Sequence, residues 1–156
     1  MRKFLTTLFL LIPLMGGTGN KVDMVEIPTE SNLSSWDELQ LAIAITESRM
    51  NPKAEGKTQD IGIYQITPIY AKEASRISKK GYSPSDAYSI EKSIEMFNIV
   101  QGRHNPSKDI RKAIKLHNPG ASEAYYNKVM ANLEMVKRYE SIRKELINYG
   151  LQEKVH

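Results

Sequence analysis

The clearest pattern in the chain is a stripe of side chains that recur at steps of three or four. Ser34 and Ser35 precede it, and an acidic residue lies three positions after each, so two overlapping capping boxes are available. This pattern predicts a helix over about residues 36–50. The stripe consists of four apolar residues and one acid: Trp36, Leu39, Ile43, Glu47 and Met50.

Two further helices are predicted on either side of Gly81. Pro68 can open a helix over about residues 68–78, because proline is tolerated in a first helical turn. The segment 83–86, Ser-Pro-Ser-Asp, repeats a helix-start signal, and we expect Gly102 to end the run that follows. Three apolar residues keep helical spacing in that run: Ile90, Ile94 and Phe97.

The last third of the chain predicts two more helices. Asn105-Pro106 is expected to open one that ends before Asn118, with three residues facing inward: Ile110, Ala113 and Ile114. The other spans about residues 121–148, is followed by Gly150, and has four residues on one face: Tyr125, Val129, Leu133 and Val136. Five helices around one core, without a convincing strand or repeat, predict an all-α domain.

The N-terminal stretch has the form of a signal peptide. Two basic residues precede an apolar run of about a dozen residues, and small residues end it near Gly19. That run is too short to cross a bilayer comfortably as a helix. We therefore predict a signal peptide over residues 1–19, a linker over 20–34 and the folded domain over 35–150, in a protein exported to the periplasm or the extracellular space.

Composition excludes several classes of chemistry. The chain has no cysteine, which excludes disulfides and thiolate sites. Its net charge is +4, and two of those charges lie in the leader. The remaining basic residues alternate with acidic ones and form no cluster with aromatic residues, so we expect no nucleic-acid binding. The three histidines lack ligand spacing, and we expect no metal and no cofactor.

Glu47 is the candidate catalytic residue. It interrupts the apolar stripe, and the opposite face of the helix is apolar as well: Leu41, Ala42, Ala44 and Ile45. Burial without a cation raises the pKa of a carboxyl group, and such a group can donate a proton near neutral pH. An alternative is that Glu47 caps the helix end or pairs with Arg49 or Lys53 at the surface.

The sequence around Glu47 resembles the soluble lytic transglycosylase family. Residues 47–54, Glu-Ser-Arg-Met-Asn-Pro-Lys-Ala, match the family's Glu-Ser followed by Asn-Pro and a small residue. Residues 62–68, Gly-Ile-Tyr-Gln-Ile-Thr-Pro, match its Gly-Leu-Met-Gln with a later proline. Further on, residues 116–120 and 125–129 resemble Ala-Tyr-Asn-x-Gly and Tyr-x-x-Lys-Val. The resemblance covers about residues 36–135, in order.

The resemblance implies a lysozyme-like fold with a catalytic cleft beside the first long helix. It also implies cleavage of the β-1,4 bond between N-acetylmuramic acid and N-acetylglucosamine in peptidoglycan, with Glu47 as the single general acid and base and 1,6-anhydro ends as product. Two alternatives stay open. One is a hydrolytic muramidase in which Asp60 or Glu55 positions water. The other is a binding or assembly module without turnover.

The resemblance further implies residues that contact the substrate. They are Ser48, Gly62, Tyr64, Gln65, His117, Asn118 and Tyr125. Two positions depart from the family pattern: His117 replaces a tyrosine, and Gly56 stands where many members have a serine. His117 is either a hydrogen-bond donor near Glu47 or a buried histidine satisfied by a backbone carbonyl.

Partners other than glycan strands are not visible in the residues. Small single-domain members of the family serve secretion, conjugation or phage-entry machines, so association with such an envelope-spanning machine is one expectation that the resemblance carries. We otherwise expect a monomer.

Overall fold

A computed structural model describes the backbone of residues 33–152 and the side chains of residues 33–145. In this range the chain forms five α-helices and one short 3₁₀ helix. The α-helices are α1 (Ser35–Ser48), α2 (Pro68–Ser78), α3 (Ile90–His104), α4 (Ile110–His117) and α5 (Glu123–Gln152), and the 3₁₀ helix is Pro84–Tyr88. The described range has no strand, and only isolated bridges join Glu55 to Ile61 and Ile61 to Ile66. The predicted all-α class is confirmed.

The N-terminus of α1 uses the first of the two predicted capping boxes. The Ser34 side chain accepts from the backbone N–H of Asp37, and the Asp37 carboxylate accepts from the backbone of Ser34. The helix ends two residues earlier than predicted, because Arg49 and Met50 have φ of 55° and 65°. This left-handed backbone ends the helix directly after Glu47 and Ser48.

The predicted boundaries of the third helix need correction. Helix α2 begins at Pro68 as expected, with the Thr67 side chain accepting from the Tyr70 N–H. The start signal at Ser83 instead opens the 3₁₀ helix, and α3 begins only after Ser89. Gly102 does not end α3, which continues to His104, because a single glycine costs a packed helix only about 1 kcal/mol.

The predicted start of the fourth helix is also wrong. The Asn105 side chain donates to the Asp109 carbonyl at 2.8 Å and accepts from the Asp109 N–H at 3.1 Å, so it holds the connecting loop. Asp109 is the residue that caps α4, accepting from the Lys112 N–H at 2.6 Å. The last helix begins two residues later than predicted and runs through Gly150 to Gln152.

The helices pack against one another in pairs. Helix α1 packs on α5, while α3 packs on α2, on the 3₁₀ helix and on α4. The side chains that fill the space between these helices are fully buried: Leu39, Ile43, Met96, Phe97, Ile114, Val129 and Leu133. Each such side chain stabilises the fold by about 1.5–3 kcal/mol relative to an exposed one. The packing of α1 against α5 places the end of α1 opposite the first turns of α5.

Candidate active site

Glu47 lies in the last turn of α1, with 16% of its side chain exposed. The Tyr125 hydroxyl, from the first turn of α5, donates a short hydrogen bond to Glu47 Oε1. His117 Nε2, at the end of α4, lies 3.4 Å from the same oxygen. Glu47 is therefore held by two other helices, and the alternative of a surface pair with Arg49 or Lys53 is wrong.

The pKa of Glu47 is lowered, and the expected rise does not occur. Burial does raise the pKa of this carboxyl group. The hydrogen bond and charge of His117, the hydrogen bond from Tyr125 and the charge of Lys128 outweigh burial, so the pKa lies below its ordinary value. The sequence argument assumed burial without a cation, whereas the fold brings donors and a lysine to the carboxyl group.

Tyr125 remains protonated and acts as a donor. Burial and the charge of Glu47 raise its pKa, and the Asn118 side chain opposes this rise. Asn118 is the residue that ends α4, where its backbone N–H bonds to the Ile114 carbonyl. The structure thus brings Glu47, His117, Asn118 and Tyr125 together from three helices. The sequence had assigned the last three to the substrate side of the cleft.

We expect Tyr125→Phe to move the alkaline limb of kcat/KM to higher pH. The hydroxyl stabilises the carboxylate form of Glu47, so removing it raises the pKa and leaves more of the group protonated at a given pH. A pH–rate profile on solubilised glycan strands measures the shift. Tyr126→Phe is the matched control, because the Tyr126 ring lies under Arg111 at 3.9 Å. A limb that stays in place would show that Tyr125 does not tune Glu47.

His117 is buried within an aromatic cluster. Its side chain is 3% exposed, and its ring contacts Tyr70 and Phe97 at 5.6 Å and Tyr64 at 6.1 Å between centroids. Nδ1 is buried and has no hydrogen-bond partner among the described residues, which argues against the alternative of a backbone carbonyl at this nitrogen. A proton on Nε2 makes this nitrogen a donor toward the Glu47 carboxyl group.

We expect His117→Phe to lower the cleavage rate by about 10- to 150-fold, since it removes a donor to a charged group worth about 1.5–3 kcal/mol. His117→Tyr carries a hydroxyl toward the same carboxyl group and should keep substantial activity. Steady-state rates of the two variants separate hydrogen bonding from ring packing. Equal rates for wild type and the phenylalanine variant would leave His117 as a packing residue.

Ser48 fixes the end of α1 to the loop that follows. Its hydroxyl donates to the Ile63 carbonyl at 2.9 Å and to the Ala44 carbonyl at 3.3 Å. It makes no hydrogen bond to Glu47 in the described structure. Gly62, in the same loop, has φ of 77°, and a Cβ built on it would lie 1.9 Å from the Ala87 carbonyl oxygen. Ser48 and Gly62 therefore stabilise the loop next to the end of α1.

The side chains of Tyr64 and Gln65 also make contacts within the protein. Tyr64 is 2% exposed and stacks on Phe97 with centroids 5.0 Å apart. Its buried side chain therefore cannot make the substrate contact that the resemblance implied. The Gln65 amide donates to the carbonyls of Ala54 and Gly62 at 3.2 and 3.0 Å. At Gly56, the space that a Cβ would take is filled by the ends of Gln65 and Asp60, each at 2.8 Å.

A cleft of about 410 Å³ opens at Glu47. Its lining comes from the end of α1 and the facing side of α5: Ile45, Thr46, Glu47, Ser48, Arg49, Lys128 and Asn132. Glu47 is the one acid in this lining. The Asn132 amide donates to Thr46 Oγ1 at 2.8 Å, and Lys128 Nζ donates to the Thr46 carbonyl at 3.4 Å.

Sequence reasoning missed five of these lining residues as candidate site residues: Ile45, Thr46, Arg49, Lys128 and Asn132. A signal for two of them exists in the helical period. Lys128 and Asn132 follow Tyr125 at steps of three and four, so all three lie on one face of α5. The neighbouring positions Val129 and Leu133 are buried in the core. Polar residues beside them on the same helix indicate the boundary between the core and a cleft.

A known protein family matches part of the chain. The profile of the transglycosylase SLT domain matches residues 25–124. The chain belongs to this family. The predicted family and lysozyme-like fold are thereby confirmed. No curated protein and no solved structure matches the chain.

Membership in the SLT family implies a peptidoglycan lytic transglycosylase in general terms. SLT domains act on peptidoglycan in the cell envelope, which is consistent with an exported protein. Among the described helices, none is long and apolar enough to span a membrane. The same part of the chain holds no group of three or more His, Asp or Glu side chains that could bind a metal ion.

Proposed function

We propose that this SLT domain cleaves the bond between N-acetylmuramic acid and N-acetylglucosamine with Glu47 as its only general acid and base. The observation that supports this most is the position of Glu47. It is the single acid that lines the cleft, and it is held by Tyr125 and His117. A carboxyl group fixed by hydrogen-bond donors at the edge of a cleft suits proton transfer to and from a bound sugar.

The free protein must bind a proton at Glu47 before or during substrate binding. A glycan in the cleft covers the exposed part of the side chain and removes the remaining water, which raises the pKa of the carboxyl group. Glu47 then protonates the glycosidic oxygen as the bond to the muramic C1 breaks. The acetamido group of the muramic sugar stabilises the positive charge that develops at C1.

Glu47 is a carboxylate after this step and can accept a proton in the second one. It takes the proton of the muramic C6 hydroxyl, whose oxygen attacks C1 and closes the 1,6-anhydro ring. The first proton stays on O4 of the released N-acetylglucosamine, Glu47 regains a proton from the C6 hydroxyl, and no water is consumed. Tyr125 and His117 donate to the carboxylate and hold it in position between the two steps.

The two acids considered for a hydrolytic mechanism are engaged elsewhere. Glu55 accepts a hydrogen bond from the Tyr88 hydroxyl at 2.5 Å, and Asp60 accepts from the Thr58 hydroxyl at 2.7 Å. Neither contributes to the lining of the cleft. A hydrolase with two carboxylates needs the second one within about 10 Å across the scissile bond. The arrangement therefore favours the transglycosylase over the muramidase.

Release of soluble fragments from purified sacculi tests whether the protein is an enzyme at all. We expect wild-type protein to lower the turbidity of a sacculus suspension and to release muropeptides into the supernatant. Binding to the pellet without release, at enzyme concentrations equal to the substrate, would support the module without turnover.

The leader prediction concerns residues outside the described part of the chain. We expect the exported protein to begin between about Gly17 and Lys21, after removal of the signal peptide. N-terminal sequencing of envelope material measures this directly. Intact Arg2 and Lys3 on protein that stays with the membrane would show that the segment is an anchor.

A further inference from the structure

Two cations border the cleft beside Glu47. Arg49 and Lys128 are both exposed and both belong to the cleft lining. In the described part of the chain, neither lies within salt-bridge distance of a carboxylate. The described structure pairs several surface cations outside the cleft, Arg76 with Glu73 and Lys137 with Glu134 among them. The cleft therefore holds an excess of positive charge with room beside it.

Interaction with the carbonyl end of α1 explains only part of the placement of Arg49 and Lys128. The carbonyl end of a helix attracts cations, and α1 has no basic residue in its last turn. The one contact of Lys128 to this end is 3.4 Å long, at the Thr46 carbonyl. It leaves two of the three ammonium protons without an acceptor in the described residues. Arg49 is kept at the edge of the cleft by a left-handed backbone with φ of 55°, which arginine rarely adopts.

The proposed substrate carries carboxylates that can pair with these two cations. Each N-acetylmuramic acid has a lactyl ether on C3, which ends in a carboxylate when free and in a peptide with its own carboxylates when substituted. N-acetylglucosamine carries no charge. A strand lying across Glu47 thus places an anionic substituent on one of the two sugars that flank the scissile bond.

We propose that Arg49 and Lys128 form an anion subsite that binds a carboxylate of the muramic substituent and favours muramic strands over neutral glycans. The proposal rests on the proposed function for the identity of the glycan. Ionic contacts at an exposed edge contribute modestly, so each cation should account for about three- to tenfold in affinity. This preference should shrink as salt is added, because exposed charges are screened.

Binding to a protein with Glu47→Gln tests the subsite without turnover. Fluorescence anisotropy with three labelled probes gives the affinities: strands stripped of peptides, with free lactyl carboxylates; the same strands with these carboxylates amidated by methylamine; and strands that keep their peptides. We expect at least one carboxylate probe to bind about tenfold tighter than the amidated probe. The stripped strands identify the lactyl group as the anion, and the peptide-bearing strands identify the peptide.

Variants in the same background locate the effect. Lys128→Met and Arg49→Met should each weaken the carboxylate probe by about three- to tenfold and leave the amidated probe unchanged. The matched control is Lys144→Met, an exposed lysine about 24 Å further along α5. Equal binding of all three probes, equal losses on all probes, or no binding at all would overturn the subsite. Failure of the proposed function is a separate result, namely sacculi that release no fragments with wild-type protein.

Discussion

Glu47→Gln should abolish glycan cleavage while the protein still folds and still binds sacculi. The amide keeps the shape of the side chain and its acceptor for the Tyr125 hydroxyl, but it has no proton to transfer. General acid catalysis contributes about 10²–10⁴-fold, so the variant should retain less than a tenth of wild-type activity. Release of soluble muropeptides measures the loss, and sedimentation with sacculi measures binding.

Glu38→Gln is the matched control for this substitution. Glu38 lies in the first turn of the same helix and outside the cleft lining, so the same chemical change there should leave the rate near that of wild type. If Glu47→Gln keeps more than about a tenth of the activity, Glu47 is not the acid.

Gly62→Ala should have the largest effect on stability. A Cβ at this position would lie 1.9 Å from the Ala87 carbonyl oxygen, and the backbone φ is 77°. The left-handed conformation costs a residue with a side chain about 1–2 kcal/mol, and forcing atoms into a packed interior costs about 1–3 kcal/mol. We therefore expect the free energy of unfolding to fall by about 2–5 kcal/mol, measured by urea denaturation.

Gly102→Ala provides the opposite expectation. Gly102 lies within α3, and apart from its two chain neighbours and the nearby backbone of its own helix no described atom lies within 4 Å of a Cβ built on it. Alanine in a helix should raise the free energy of unfolding by about 0.5–1 kcal/mol. Equal stability of the two variants would show that the loop containing Gly62 does not pack against the 3₁₀ helix as described.

Local patterns were sufficient to predict the helices and the place of Glu47. The apolar stripe on α1 depends only on the helical period, and the structure buries its members Leu39 and Ile43 completely. The same period places His117 on the face of α4 that carries Ala113 and Ile114, and its side chain is 3% exposed. Errors occurred where side chains compete with the helix start, as at Asn105, whose amide bonds to Asp109.

The surroundings of Glu47 could not be predicted from such patterns. Tyr125 lies 78 residues away in sequence and Lys128 lies 81 residues from Glu47, so no local spacing reports the contacts that lower the carboxyl pKa. The burial of the Tyr64 side chain was missed for a related reason. A motif shows that residues recur together but does not show whether they contact a ligand or, as with the Tyr64 ring on Phe97, the protein interior.

The masses of the glycan products test the central claim most directly. Purified protein and sacculi are incubated, and the released muropeptides are analysed by mass spectrometry with and without prior borohydride reduction. If Glu47 acts alone as acid and then base, every product ends in 1,6-anhydromuramic acid, is lighter than the hydrolysed product by one water, and resists reduction. Products with a reducible end and the mass of the hydrolysed form would contradict the account.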